Sequence, residues 1–250
     1  GRPRSVKAAP KRPPVDLETT TVTTPRRLPR LALFAAAALA AGPLLLRAAD
    51  EPAKQEAKPY ATDFSAFKPG KVPEELFVIN GSFAVADVDG NRLLELAGNP
   101  VSSYGVLFGP KEQTAIEVAA RVQATSVGKM FPEFGVGAND SGGWRVWALP
   151  GQDALVLRRK EVEEVARVPF RWTGGSWVRM KLRVSPTADG KWLVQGKAWP
   201  DGLPEPAEWP LSHVAVDTPP AGQASVWGNP YSGTPIRFDD LSAAPVVAGK

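Results

Sequence analysis

The chain has no cysteine and a single histidine, His213, in 250 residues. The first absence excludes disulfides and thiolate metal sites. The second excludes a histidine-cluster metal centre within one chain and any catalytic scheme that needs two histidines. Helical periodicity is also missing: Glu161 to Arg167 is the one stretch where a helix would compete, and Pro169 with the β-branched valines argues against it. No phosphate cradle is present, because Ser141-Gly142-Gly143 and Thr173-Gly174-Gly175 are followed by no helix and read as hairpin turns. Asp87, Asp89 and Asn91 imitate the start of a calcium loop. However, the glycine falls at the fourth position (Gly90) and the twelfth is Gly98 rather than a glutamate, so the segment reads as a turn.

Basic excess is missing from most of the chain. The net charge of +4 is carried by residues 1–49, where nine Lys/Arg face only Asp16 and Glu18. The remainder has 21 basic and 24 acidic residues, interspersed as on an ordinary solvated surface. A nucleic-acid footprint is therefore not expected on the folded part.

The N-terminal third divides by composition. Residues 1–25 are polar, Pro-rich and basic and predict disorder. Arg26-Arg27-Leu28-Pro29-Arg30 then precedes an apolar run, Leu31 to Leu46, broken by Gly42-Pro43. A basic cluster before a short apolar stretch predicts a signal peptide over 26–49, with Ala48 and Ala49 as small residues for cleavage. The run covers sixteen positions, short of the roughly 20 a membrane span needs; left uncleaved, 31–46 would be the chain's one membrane contact. The expected location is therefore exported: periplasmic, cell-surface or extracellular. The chain starts at Gly1 rather than Met, which reads as a fragment or an over-extended start. Residues 50–60 form a charged Ala/Pro linker, and the folded domain is expected over 61–245.

What fills that domain is period two. Val178, Met180, Leu182 and Val184 alternate with Arg179, Lys181 and Arg183, and Ile116, Val118, Ala120 and Val122 alternate with Glu117, Ala119, Arg121 and Gln123. Such alternation marks strands with one wet and one buried face. Further strands are expected over 76–79, 82–88, 92–96, 134–138, 144–149, 154–159, 163–168, 192–199, 223–228 and 236–241. Short strands separated by Gly/Pro/Asn/Asp turns predict an all-β, two-sheet antiparallel β-sandwich of the jelly-roll kind. His213 is expected in a surface loop.

Most of the eight tryptophans lie on or beside these strands, where packing between sheets is their default role. Trp144 and Trp147 are three positions apart, so they point to opposite faces of one strand, one expected in the core and the other exposed. With Trp147 as the exposed ring, Arg145 on the same face and Asn139 and Asp140 in the preceding hairpin, the four would form a ligand-binding site. Its ligand would be a neutral or weakly charged glycan: a ring to stack on, and polar groups for the hydroxyls. The alternative is Trp147 in the core and Trp144 exposed.

Several pieces in order resemble the concanavalin A-like lectin/glucanase superfamily, and more narrowly laminin-G-type and 3-keto-disaccharide hydrolase-like domains. They are Asp63-Phe64 with Pro69-Gly70-Lys71-Val72-Pro73, the strand pair within 134–149, Trp177 to Gly190, the Trp199–Trp209 segment, and the close Phe238-Asp239-Asp240-Leu241. The resemblance implies a two-sheet jelly roll over about 63–243 and carbohydrate contact. It supplies no catalytic set. The Glu-x-Asp-x-x-Glu strand of the glucanases has no counterpart, and Glu161, Glu163 and Glu164 sit among Arg158, Arg159 and Arg167 as a charged hairpin.

The leading expectation is an exported, non-catalytic carbohydrate-binding or adhesive sandwich with no cofactor. Asp239-Asp240 is the one place a calcium ion would be sought. Two alternatives stand: a glycoside-processing hydrolase using Glu117, Glu133, Asp140 or Asp153, and a structural protein-binding module.

Overall fold

In this computed structural model the structure describes residues 58–98, 102–111 and 114–246. The expected basic extension, signal segment and most of the linker lie outside the described residues.

The chain runs through β1 (Tyr60–Thr62), β2 (Phe77–Asn80), β3 (Phe83–Val88), β4 (Asn91–Leu96), β5 (Tyr104–Phe108), β6 (Ile116–Gln123), β7 (Glu133–Ala138) and β8 (Trp144–Leu149). A 3-10 turn, Pro150–Gln152, leads to β9 (Ala154–Arg159), β10 (Glu163–Pro169), β11 (Trp177–Pro186), β12 (Trp192–Pro200), β13 (Leu211–Ala215), β14 (Ala224–Asn229) and β15 (Ile236–Pro245). Among the described residues these strands form two antiparallel sheets. The first has the order β13-β12-β11-β6-β15-β4-β3, with β1 added on β15; the second has the order β10-β9-β8-β7-β14-β5-β2. The chain crosses between sheets at β1–β2, β2–β3, β4–β5, β5–β6, β6–β7, β10–β11, β13–β14 and β14–β15, so neighbours in each sheet are often distant in sequence. This is the expected all-β sandwich.

Alternation decides which face meets which. In β6 and β11, Ala120 pairs with Met180 and Val118 with Leu182, and all four join the buried core between the sheets. Phe134, Val136, Val146, Leu155, Leu157 and Val226 close it from the second sheet. Full burial of such side chains stabilises by roughly 1.5–3 kcal/mol each. The intervening Glu117, Arg121, Arg179, Lys181 and Arg183 lie on the outer face of the first sheet, in ion pairs.

Three strands depart from expectation. β1 is an addition to β15, β5 lies next to the edge of the second sheet between β14 and β2, and β13 is an edge of the first sheet. His213 is therefore not in a surface loop. It lies on β13, half-buried, with its ring 5.5 Å from that of Trp144. The edge partner β12 recruits this short segment by backbone pairing, Val194 opposite His213.

Leu182→Ala should cost about 2–5 kcal/mol of stability, the usual range for emptying a core leucine site. Lys191→Ala, in the β11–β12 turn, should change it by less than about 0.5 kcal/mol. Urea unfolding midpoints measure both, and equal midpoints would contradict the assigned faces.

Candidate functional site

The outer face of the second sheet is built from residues that sit one position out of phase with the core. On β8, Trp144, Val146 and Ala148 face the inter-sheet core, while Trp147 and Leu149 pack with Ala154, Val156 and Trp227 in a separate cluster. The opposite orientation of the two indoles is as expected. Exposure of one of them is not: Trp144 is 3% and Trp147 2% exposed. The reason lies on neighbouring strands. Gly135 on β7 is opposite Trp147, and a Cβ there would come within 2.9 Å of the indole. Gly105 on β5 is opposite Trp227, and a Cβ there would come within 2.5 Å of that ring. Both rings therefore lie down on bare backbone instead of standing into solvent. Polar tips are satisfied: Trp147 Nε1 donates to Glu133 Oε2 at 3.1 Å and Trp227 Nε1 to Ser225 Oγ at 2.8 Å.

On this floor sits a recess of about 170 Å³, lined by Ser103, Arg145, Trp147, Arg158, Glu161, Val162 and Asn229. Arg145 is 3% exposed, with its guanidinium stacked 3.6 Å above the Trp227 ring and its Nη2 donating to the Ser141 carbonyl at 2.8 Å. Directly across the β8–β9 pairing lies Arg158. Burial, with the Arg158 charge adding to it against the opposing pull of Glu161, pushes the Arg145 guanidinium down to about 10. It stays charged at neutral pH. Three buried polar atoms from three strands have no hydrogen-bond partner among the described residues: Nε of Arg145, Nε of Arg158 and Oδ1 of Asn229. Native interiors rarely leave such groups unanswered.

Of the residues expected from sequence, the structure brings Arg145 and Trp147 to the recess and leaves Asn139 and Asp140 at the end of the hairpin. Both take left-handed backbone angles, φ 64° and 62°. Asn139 is fully buried and donates from Nδ2 to the Thr114 carbonyl at 3.1 Å. Asp140 exchanges backbone and side-chain bonds with Gln223, at 3.0 and 2.7 Å. They fasten the β7–β8 turn to the segments that lead into β6 and β14. Trp147 is a wall of the recess rather than an open stacking surface. Arg158 and Asn229 were not among the sequence candidates. The signal for Arg158 was present: Leu155 and Leu157 alternate with Val156 and Arg158, which puts Arg158 on the face away from the core.

The carboxylates considered for hydrolysis do not converge. Glu117 lies on the first sheet's outer face, held by Arg183 Nε at 2.7 Å and Lys181 Nζ at 3.3 Å. Glu133 lies on the other sheet, bound by Trp147 and by Asn229 Nδ2 at 3.1 Å. Asp140 is in the turn, and Asp153 follows the 3-10 turn with φ 47°. The acids of the closing motif are also engaged. Asp239 accepts from Arg121 at 3.0 Å and Asn91 at 2.9 Å, and Asp240 pairs with Arg179 at 3.3 Å. No group of three or more His, Cys, Asp or Glu among the described residues is placed to hold a metal.

A larger groove, about 600 Å³, runs along the first sheet between β1 and the 200–210 loop, with Ala119, Ser242, Trp199, Arg179, Lys181 and Glu205 among its walls. Its charges answer one another. Arg179 meets Asp201 at 2.6 Å, and Glu205 receives both Lys181 and Lys197 at 2.8 Å. Trp199 Nε1 in that wall is also buried without a partner among the described residues, but the groove's cations are paired; the recess, where Arg158 has no ion pair among the described residues, is the better candidate site.

No family model and no curated protein matches the chain. Solved structures similar to it include the carbohydrate-binding module CBM66 from Bacillus subtilis (10% identity, 68% of this chain and 91% of that one, TM-score 0.42). They also include the exoplasmic/lumenal domain of VIP36 in its calcium-bound form (10%, 70% and 85%, 0.47) and basic winged bean lectin with Tn-antigen (10%, 75% and 97%, 0.49). All are β-sandwiches of the concanavalin A-like type. At these identities and TM-scores the reading of the site rests on this chain's own residues.

Trp147→Ala should cost about 3–5 kcal/mol of stability, as for a buried aromatic. Denaturant titration measures it, and a change under about 1 kcal/mol would mean the ring is not held in the outer cluster.

Proposed function

We propose that the chain is an exported, non-catalytic carbohydrate-binding β-sandwich protein, with the recess over Trp147 as its ligand site. The observation that carries this reading is that Arg145, Arg158 and Asn229, from three strands, line one recess beside Trp147, where Arg158 has no ion pair among the described residues. Guanidinium and amide groups beside an indole wall suit a sugar, which offers hydroxyls to both kinds of partner and apolar C–H faces to the ring. A recess of about 170 Å³ suits contact with one terminal unit, and not enclosure of a long chain.

The hydrolase alternative loses its proposed acids to separate faces and separate partners, as Glu117 and Glu133 illustrate. Export rests on the basic cluster 26–30 and the apolar run 31–46. Among the described residues no helix is long and apolar enough to cross a membrane.

Glycan-array screening of the full chain tests the binding reading. A defined set of glycans should be retained, and Arg158→Ala should weaken that binding about tenfold, or ~1.4 kcal/mol, while the melting temperature stays close to wild type. An array blank for every glycan would remove the proposal. N-terminal sequencing from the native host should find residues 1–48 gone; a mature chain that keeps 31–46 would make it an anchored protein instead.

A further inference from the structure

The second sheet places two arginines directly opposite each other. Arg145 and Arg158 are cross-strand partners in the β8–β9 pairing. Like charges facing each other across a sheet destabilise it. Burial of Arg145 adds to the cost, because a charge removed from water needs a partner, while Arg158 is half-buried.

The partners present answer only part of the charge. Arg145 has the Ser141 carbonyl, the face of Trp227, and Glu161 at 3.9 Å from Nη2. Glu161 is itself 71% exposed, at the tip of the β9–β10 hairpin, so its attraction is screened by water. Arg158 has the Trp147 ring at 5.9 Å and no ion pair among the described residues. Its cross-strand neighbour on β10, Glu164, is held by Arg167 through two bonds of 2.6 and 2.8 Å. Glu133, on the far side, is bound by Trp147 and Asn229. Both Nε–H groups are left without an acceptor.

We infer that the recess takes an acidic sugar, whose carboxylate or sulfate group sits between Arg145 and Arg158. The inference rests on the proposed glycan-binding reading and specifies its ligand class. It departs from the neutral or weakly charged glycan expected from sequence. A guanidinium edge suits an anionic oxygen pair better than a hydroxyl, since charge-assisted bonds are roughly twice as strong as neutral ones. Asn229, a neutral amide with its Nδ2 committed to Glu133, lines the recess beside the two arginines, as do Ser103 and Glu161. These groups suit hydroxyls and not a second anion. An anion site beside hydroxyl partners distinguishes a sugar acid from a free inorganic anion.

Titration calorimetry on the full chain tests this with short probes, so that the basic residues of segment 1–49 contribute little. The probes are trigalacturonate, its methyl ester, maltotriose and 6-sulfated maltotriose, and inorganic sulfate. At least one acidic sugar should bind about tenfold or more tighter than its neutral counterpart, and Arg158→Gln should abolish that difference. Trigalacturonate alone showing the preference identifies a carboxylate as the natural group; 6-sulfated maltotriose alone identifies a sulfate. Arg158→Gln should also melt no lower than wild type in chloride, since it removes the like-charge opposition. Equal binding of acidic and neutral forms would overturn the inference and leave the glycan-binding reading standing. Sulfate binding that depends on Arg158, with no sugar bound, would overturn both. Binding of no probe would overturn the inference, and the glycan array then decides the broader reading.

Discussion

The outer face of the second sheet depends on two side chains that are not there. Gly105 and Gly135 leave bare backbone where any Cβ would press into the indoles of Trp227 and Trp147. Because the rings can lie down, they form a floor rather than two projecting walls. That floor lets the Arg145 guanidinium settle 3.6 Å above Trp227, nearly closed off from solvent. Its Nη2 is committed to the Ser141 carbonyl, and its Nε is buried with no partner among the described residues. A flexible surface arginine would find water or a neighbouring carboxylate instead. The chain of cause thus runs from two glycines, through two flat rings, to the seat of one guanidinium.

The first sheet shows what the same architecture does without that constraint. Its outer face also carries arginine, lysine and tryptophan: Arg121 over Trp177 at 4.6 Å, Arg183 over Trp209 at 4.7 Å, Lys197 over Trp209 at 4.2 Å. There each cation also has a carboxylate, through Asp201, Asp239, Glu117 and Glu205. The 200–210 loop folds back to supply two of these acids, so even the buried Lys197 is answered, by Glu205 and by the Pro206 carbonyl at 2.6 Å. Each exposed pair is worth about 1 kcal/mol or less. Their importance is that they leave little unpaired charge for a ligand to meet. The two faces have similar composition and opposite chemical consequences.

Legibility in the sequence followed the same division. β6 and β11 could be read because one face is charged and the other apolar, and period two then names every inward residue. β8 was legible as a strand over 144–149 but not in its facing, since all six of its residues are buried and Trp-Arg-Val-Trp-Ala-Leu has no wet face to set the phase. Spacing placed Trp144 and Trp147 on opposite sides, but Gly135, on a strand twelve residues earlier, decided that neither would be exposed. Asn139 and Asp140 looked like ligand contacts because they are polar and in a hairpin. Their left-handed backbone and their ties to Thr114 and Gln223 assign them to holding the turn, information that depends on partners distant in the chain. β13, five residues long with exposed Ser212 and Val214, carries too short an alternation to be recognised without the β12 edge it joins.

Local choices in this chain otherwise agree with one another: charged residues outward, aliphatic ones inward, glycine and aspartate at the turns. The opposed Arg145 and Arg158 break that consistency. A valine or threonine at either position would suit a strand, remove the repulsion and avoid desolvating a cation. Stacking on Trp227 and Trp147 returns part of the cost, since cation–π contacts give roughly 0.5–2 kcal/mol depending on burial. It does not supply an acceptor for either Nε–H, because the face of a ring answers the charge and not the in-plane donor. Sequences that fold well tolerate such conflicts mainly where function requires them. The conflict here coincides with the recess that Arg145, Arg158, Trp147 and Asn229 line, and a ligand that is both anionic and hydroxylated would answer the opposed charges there.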